Sequence, residues 1–240
     1  MTALTSPSVF PSLRLGSRPA WFLFGFAAFL VSIPVFIEAP LVRTMPWLSL
    51  GMTPLLLGLG LYLQRQLYFR YWGEMLYGFG WCWGAGSLYW GWLRWEPLWH
   101  LPIEALPIPL MLWHLRQRQQ PVGVFFFFGS FLGTAFTDAY FYLIDVIPHW
   151  RAIMYLEGDV IAVQEMLAQA IAQAETFSGQ VWGVLLSLSL LLIGLLPLFE
   201  SQIRRGYPSV LPVWGFMGAV LSTLIVDGLF GLTIGLLSLS

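Results

Sequence analysis

Long apolar runs alternate with short polar connections from residue 20 to residue 237. About 20 apolar residues cross the hydrocarbon core of a bilayer as a helix. The runs at about 20–38, 46–63, 76–93, 97–113, 122–147, 179–199 and 209–237 meet or approach that length. The fourth run is the shortest and carries Pro97, Pro102, Pro107 and Pro109, each of which removes a backbone donor. A break at membrane depth is tolerated only where protein or water satisfies the freed carbonyls. This run is therefore expected inside the bundle or beside a cavity, away from lipid. The longest connection, about 148–178, places Val163, Leu167, Ala170, Ile171 and Ala174 at helical spacing. Glu165, Gln169, Gln173 and Glu175 fall elsewhere around the same helix, so the spacing predicts an amphipathic helix at about 157–176. Its polar face is acidic, unlike the basic face of helices that bind anionic lipid, which favours a cap on the outer surface of the bundle. The pattern thus predicts an all-α, polytopic transmembrane helix bundle of about seven spans plus one amphipathic surface helix.

Charge orients that bundle. With seven spans, Arg14, Arg18, Arg65, Arg70, Arg116, Arg118, Arg204 and Arg205 fall in alternate connections, and Arg43, Arg94 and Arg151 occupy the others. Short cytoplasmic loops collect Lys and Arg, so the eight-to-three split puts the N-terminus in the cytoplasm and residue 240 outside. Omitting the fourth span inverts every later connection and erases the bias, which is why it is retained as a kinked or broken crossing. Residues 1–19, rich in Ser, Thr and Pro, read as a flexible cytoplasmic tail, and residues 20–240 as a single transmembrane domain. Pro and acid follow the first apolar run without a small-residue motif, so a cleavable signal peptide is not expected.

Composition narrows the classes of function. Of the 240 residues, 58% are hydrophobic and 10% charged, against roughly a quarter charged in soluble domains. A mean hydropathy of +0.74 and 13 Trp fit a membrane protein with aromatic-rich interfaces. The net charge of −1 lacks the basic face that nucleic acid requires. The single Cys, Cys82, removes any internal disulfide or Cys-based zinc site, and the absence of Lys removes Schiff-base chemistry.

Candidate chemistry lies in the acids. Glu38, Glu96, Glu104, Asp138, Asp145 and Asp227 fall in the middle or outer half of their spans, or at the outer ends. A charge near the bilayer centre costs at least ~2.5 kcal/mol and normally faces a cavity, a partner or a pathway. Glu104, Asp138 and Asp227 are the deepest, and together they would form an acidic pocket open to the outside. Two readings fit: a cation, proton or amine site, or protonated and paired structural groups, with Glu38, Glu96 and Asp145 merely interfacial. His100 lies four residues before Glu104, on one helix face, and reads as a metal or proton-relay pair with Glu104, as a pigment ligand, or as a hydrogen-bonded structural residue. His114 and His149 fall at opposite faces, which argues against a three-His metal centre. Trp72, Trp81, Trp83, Trp90, Trp92, Trp95 and Trp99 crowd the third span; they read as core and interfacial belt, or as a surface for pigment or quinone. Gly80 and Gly84, Gly129 and Gly133, and Gly231 and Gly235 repeat at the spacing that lets helices pack closely.

Two resemblances add to this. The run Leu76–Trp95, LYGFGWCWGAGSLYWGWLRW, resembles a membrane segment of apolipoprotein N-acyltransferases. That family uses a hydrolase-like domain with a Glu-Lys-Cys set, and here Lys is absent and Cys82 sits in a span, so the activity does not carry over. The run SRPAWFLFGFAAFLVSIPVFIEAPLVRTMPWLSL, Ser17–Leu50, begins a resemblance to an uncharacterised family of cyanobacterial integral membrane proteins, a domain-of-unknown-function family. This resemblance extends over most of the chain and implies a plasma or thylakoid membrane. It brings no activity, cofactor or site residue. The resulting expectation is a non-enzymatic membrane protein for transport or binding of a cation, proton-coupled or small solute, with Glu104, Asp138, Asp227 and His100 as the site and no metal. The alternative is an accessory or assembly factor of photosynthetic membranes that binds pigment or membrane-protein subunits. No sequence feature identifies a cofactor, and the lipid bilayer is the one partner the pattern implies directly.

Overall fold

A computed structural model describes residues 18–156, 159–199 and 211–237. All regular structure among them is helical. The long helices are α1 (Arg18–Thr44), α2 (Pro46–Gln64), α3 (Arg70–Trp92), α6 (Pro121–Leu143), α9 (Phe177–Phe199) and α10 (Leu211–Leu237). Between α3 and α6 lie a single turn at Pro97–Trp99 and the short helices α4 (His100–Glu104) and α5 (Ile108–Arg116). Between α6 and α9 lie α7 (Ile147–Tyr155) and α8 (Val160–Glu175). Five helices are long and apolar enough to cross a membrane: α1, α2, α6, α9 and α10. The sixth long helix, α3, has 23 residues, but Gly, Trp and Tyr together with Arg70 and Glu74 make it less apolar. It is the central helix, with 13 of its residues buried.

Cross-contacts fix the helix directions. Phe26 meets Trp72, and Glu38 meets Ser87, so α1 runs parallel to α3. Val122 at the start of α6 bonds Glu74 near the start of α3. Phe125 meets Phe216, and Thr137 meets Asp227, so α10 is parallel to α6. Ser49 lies beside Ser87, and Gly60 beside Gly73 and Tyr77, so α2 is antiparallel to α3. Gly183 faces Tyr140, and Gly194 faces Val220 and Leu221, so α9 opposes α6 and α10. Two parallel neighbours such as α3 and α6 need a connection that travels back, and α4 and α5 supply it. His100 meets Tyr89 and Asp138 at one end, and His114 meets Tyr77 at the other. Arg18, Arg65, Arg70, Arg116 and Arg118 consequently share one end of the bundle, and Arg43, Arg94 and Arg151 the other. Arg14, Arg204, Arg205 and residues 1–17 of the expected tail lie outside the described residues.

The returning segment corrects one expectation. It does not lie inside the bundle: Met111 and His114 face inward, while Leu106, Leu112 and Trp113 are exposed. The break at Pro107 and Pro109 does not need burial, because local turns satisfy it. Ala105 N–H donates to Leu101 O at 2.9 Å, Leu106 N–H to Ile103 O at 3.1 Å, and Ile108 N–H to Ala105 O at 2.9 Å.

Lipid is as apolar as a core, so close packing has to hold such a bundle together. Gly78 and Gly123 place the α3 and α6 backbones in contact, where any Cβ would strike the facing chain. Gly129 and Gly133 do the same for α6 against Phe216 and Thr223 of α10, and Gly80 and Gly84 receive Leu57 and Thr53 of α2. Around these contacts Leu23, Ala27, Met75, Phe79, Trp83, Val122, Phe126 and Trp214 form the main core. The amphipathic helix α8 begins at Asp159, whose carboxylate caps Ala162 N–H at 3.1 Å. Its Val163, Leu167, Ala170, Ile171 and Ala174 are half-buried, and Glu165, Gln169 and Glu175 are exposed.

Candidate functional site

Pro97 opens a tight turn after α3, and Glu96 caps it by accepting from Leu98 N–H at 3.2 Å. The neighbouring helix α7 clamps this turn twice. Arg151 donates to Glu96 at 2.7 Å, and Trp150 Nε1–H donates to Arg94 O at 3.3 Å. The hydrogen bond from Arg151 holds the Glu96 carboxyl below the usual carboxylate range, and the same bond raises the guanidinium. The clamp fixes where α4 starts, and α4 carries His100 at its first position and Glu104 at its last.

The His100 ring lies between two carboxylates. Its Nδ1 is 2.9 Å from Asp138 Oδ1 and 3.0 Å from Oδ2, and its Nε2 is 3.3 Å from Glu104 Oε1. The three side chains are 15%, 12% and 20% exposed in the order His100, Asp138, Glu104. Tyr89 stacks on the imidazole at 4.3 Å, and Trp90 meets its edge at 5.9 Å. Because the carboxylates sit on opposite edges of the ring, the three groups do not converge on one ion. Among the described residues no three His, Cys, Asp or Glu side chains form a group able to hold a metal.

The proton count is the chemical point. A neutral imidazole has one N–H and one acceptor nitrogen, and an ionised carboxylate only accepts. Two imidazole–carboxylate contacts therefore need one proton more than a neutral ring with two carboxylates can provide. With that proton present the ring donates at both nitrogens, and without it one of the two contacts lacks a hydrogen.

Of the four residues singled out from sequence, His100, Glu104 and Asp138 are together, and Asp227 stands apart. It is exposed on α10 and accepts from Thr137 Oγ1–H at 2.6 Å, one residue from Asp138 on α6. Its carboxylate is near enough to Asp138 to interact electrostatically. Asp227 is thus a neighbour across α6 and not a wall of the pocket.

Two further acids are buried, Glu38 from the candidate set and Glu74, which the sequence reading missed. Glu38, interfacial in one of the two readings, is 1% exposed. Ser87 Oγ–H donates to it at 2.8 Å, Ser49 Oγ lies 2.7 Å from Ser87 Oγ, and Trp83 Nε1–H donates to Ser49 O at 2.9 Å. Gly86 leaves room for the carboxylate, and α1 turns inward there through a wide π-type turn over Pro34–Glu38, where Ala39 N–H reaches Pro34 O. Glu74, at the opposite end, is also 1% exposed; Arg70 Nε–H and Val122 N–H each donate to it at 3.1 Å.

The Trp residues divide by role. Trp83 is a buried donor, Trp90 lines the cluster, and Trp99 and Trp47 are exposed at the same end.

No curated protein and no solved structure matches the chain. One family's sequence profile does, over residues 27–234, which takes in every helix that builds the cluster. The chain belongs to that family, described as "Protein of unknown function (DUF3120)".

Proposed function

We propose that this protein is a multi-pass membrane protein that binds and passes a proton through the cluster of Glu104, His100 and Asp138. The observation that carries this reading is the imidazole held by a carboxylate at each nitrogen. Such a ring takes a proton at one nitrogen and releases it from the other. Glu38 with its Ser pair on one side and Asp227 with Thr137 on the other prolong the polar level toward α1 and α10. In this reading α1, α2, α3, the α4–α5 pair, α6, α9 and α10 make seven crossings. The end with Arg18, Arg65, Arg70, Arg116 and Arg118 faces the cytoplasm, and the bilayer is a plasma or thylakoid membrane of a cyanobacterium.

The test is proton flux into vesicles reconstituted with the purified protein under an imposed pH gradient, read by an internal dye. Asp138→Asn and Glu104→Gln should lower flux to the level of protein-free vesicles while their folded yield stays that of the wild type. Wild-type flux no greater than in empty vesicles would overturn proton passage. Variants that disappear from the membrane would mark these groups as structural.

A further inference from the structure

The end of the bundle away from His100 holds a cleft of about 330 Å³ lined by Gln64, Arg70, Glu74, Arg118, Gln119 and Gln120. Both oxygens of Glu74 are engaged, by Arg70 and by the Val122 N–H at the start of α6. The acid therefore fixes Arg70 in the wall and leaves the charge of Arg118 in surplus. Among the described residues no carboxylate pairs with Arg118.

The loop that carries Arg118 is built at a conformational cost. Gln119 N–H bonds His114 O at 2.9 Å, the closing bond of a helix C-terminus that normally places glycine at the left-handed position. Arg118 occupies that position with φ 54°, and Gln120, immediately before Pro121, has φ 50°. Side chains with a Cβ are uncommon in this region, and both residues here are long hydrogen-bonding ones that line the cleft. The buried Gln120 Oε1 has no hydrogen-bond partner among the described residues. Leu67, Tyr68 and Phe69 beside Arg70, and Leu112 and Trp113 on α5, are exposed apolar side chains at the same end. Aromatic residues of this kind settle at the headgroup level of a bilayer.

We propose that this cleft binds a phosphate group, presented by the headgroup of an anionic phospholipid in the adjacent leaflet. The guanidiniums supply charge and fork-like donors to the phosphate oxygens.

The experiment measures binding to the purified full chain in neutral detergent, with the unfolding temperature as readout. The probes are phosphatidylglycerol, phosphatidylcholine and inorganic phosphate. Phosphatidylglycerol should raise the unfolding temperature and phosphatidylcholine should not. R118Q should weaken phosphatidylglycerol binding on the order of fivefold, as expected for one arginine at an anionic lipid. R118G gives a separate readout: it relieves the left-handed backbone, so it should unfold no earlier than wild type without lipid and yet lose the lipid effect. Equal stabilisation by inorganic phosphate would keep the phosphate site and make the free anion its source. Equal responses to the two lipids with none to phosphate, or an unchanged response in both Arg118 variants, would overturn the proposal.

Discussion

Both ends of the bundle hold an acid beside a basic side chain, Glu74 beside Arg70 and Asp138 beside His100. The acids are similarly enclosed, and their partners differ. Each oxygen of Glu74 has a fixed donor, and one of them is the first free N–H of α6, so the acid joins α3 to α6 and completes that helix. Nothing in that arrangement needs a movable proton. Asp138 shares its ring with Glu104, one carboxylate at each nitrogen, and a neutral imidazole has a single N–H for the two. An acid with a fixed donor at each oxygen stabilises, whereas an acid that shares one imidazole with a second carboxylate suits the proposed exchange.

The largest expected effect tests the structural side of this contrast. Glu74→Leu removes the acceptor from Arg70 and from Val122 N–H, and should destabilise the protein by about 2–3 kcal/mol. Thermal unfolding in detergent reads it, and a variant as stable as wild type would remove Glu74 from the joint. Next is the Glu38 network. Ser87→Ala leaves Glu38 without its hydroxyl donor and should cost about 1 kcal/mol. A lower proton flux at unchanged stability would instead join Glu38 to the exchanging groups.

The smallest effect concerns the clamp on α4. Glu96 titrates below the ordinary carboxylate range because Arg151 bonds it. Its contribution is therefore full above the ordinary carboxylate pKa and is lost as pH falls through the lowered folded value. Acidification should loosen α7, seen as faster amide exchange over residues 147–155 after correction for intrinsic rate. Glu96→Gln should remove that pH dependence, and persistence of the dependence would assign it to another group.

The sequence makes the helices legible because long apolar runs bounded by Arg and Pro leave few alternatives. The π-type turn in α1 and the separate helix α7 were not legible. The first starts at Pro34 in the middle of an apolar run, where a proline predicts a kink but not a wide turn, and the second follows Asp145, whose φ of 58° ends α6 at a position where glycine is usual. Within the site, His100 and Glu104 share a face by spacing alone, so that half was readable. The meeting of His100 with Asp138 depends on how α4 packs against α6, which spacing cannot encode. Asp227 shows the same limit. Its helix is apolar on every side, so periodicity carries no information about which face turns inward, and the acid proved to be exposed. Glu38 is buried through Ser49 and Ser87, 11 and 49 positions away along the chain. No local pattern links them.

The protonation of the His100 ring bears most directly on the whole account. Nitrogen NMR of protein labelled at histidine can observe both ring nitrogens of His100, assigned through a His100→Gln control. Protonation at both nitrogens, or a proton averaged between them, with a resonance that shifts in Glu104→Gln and in Asp138→Asn, is the expected result. A single neutral tautomer that responds to neither substitution would contradict it.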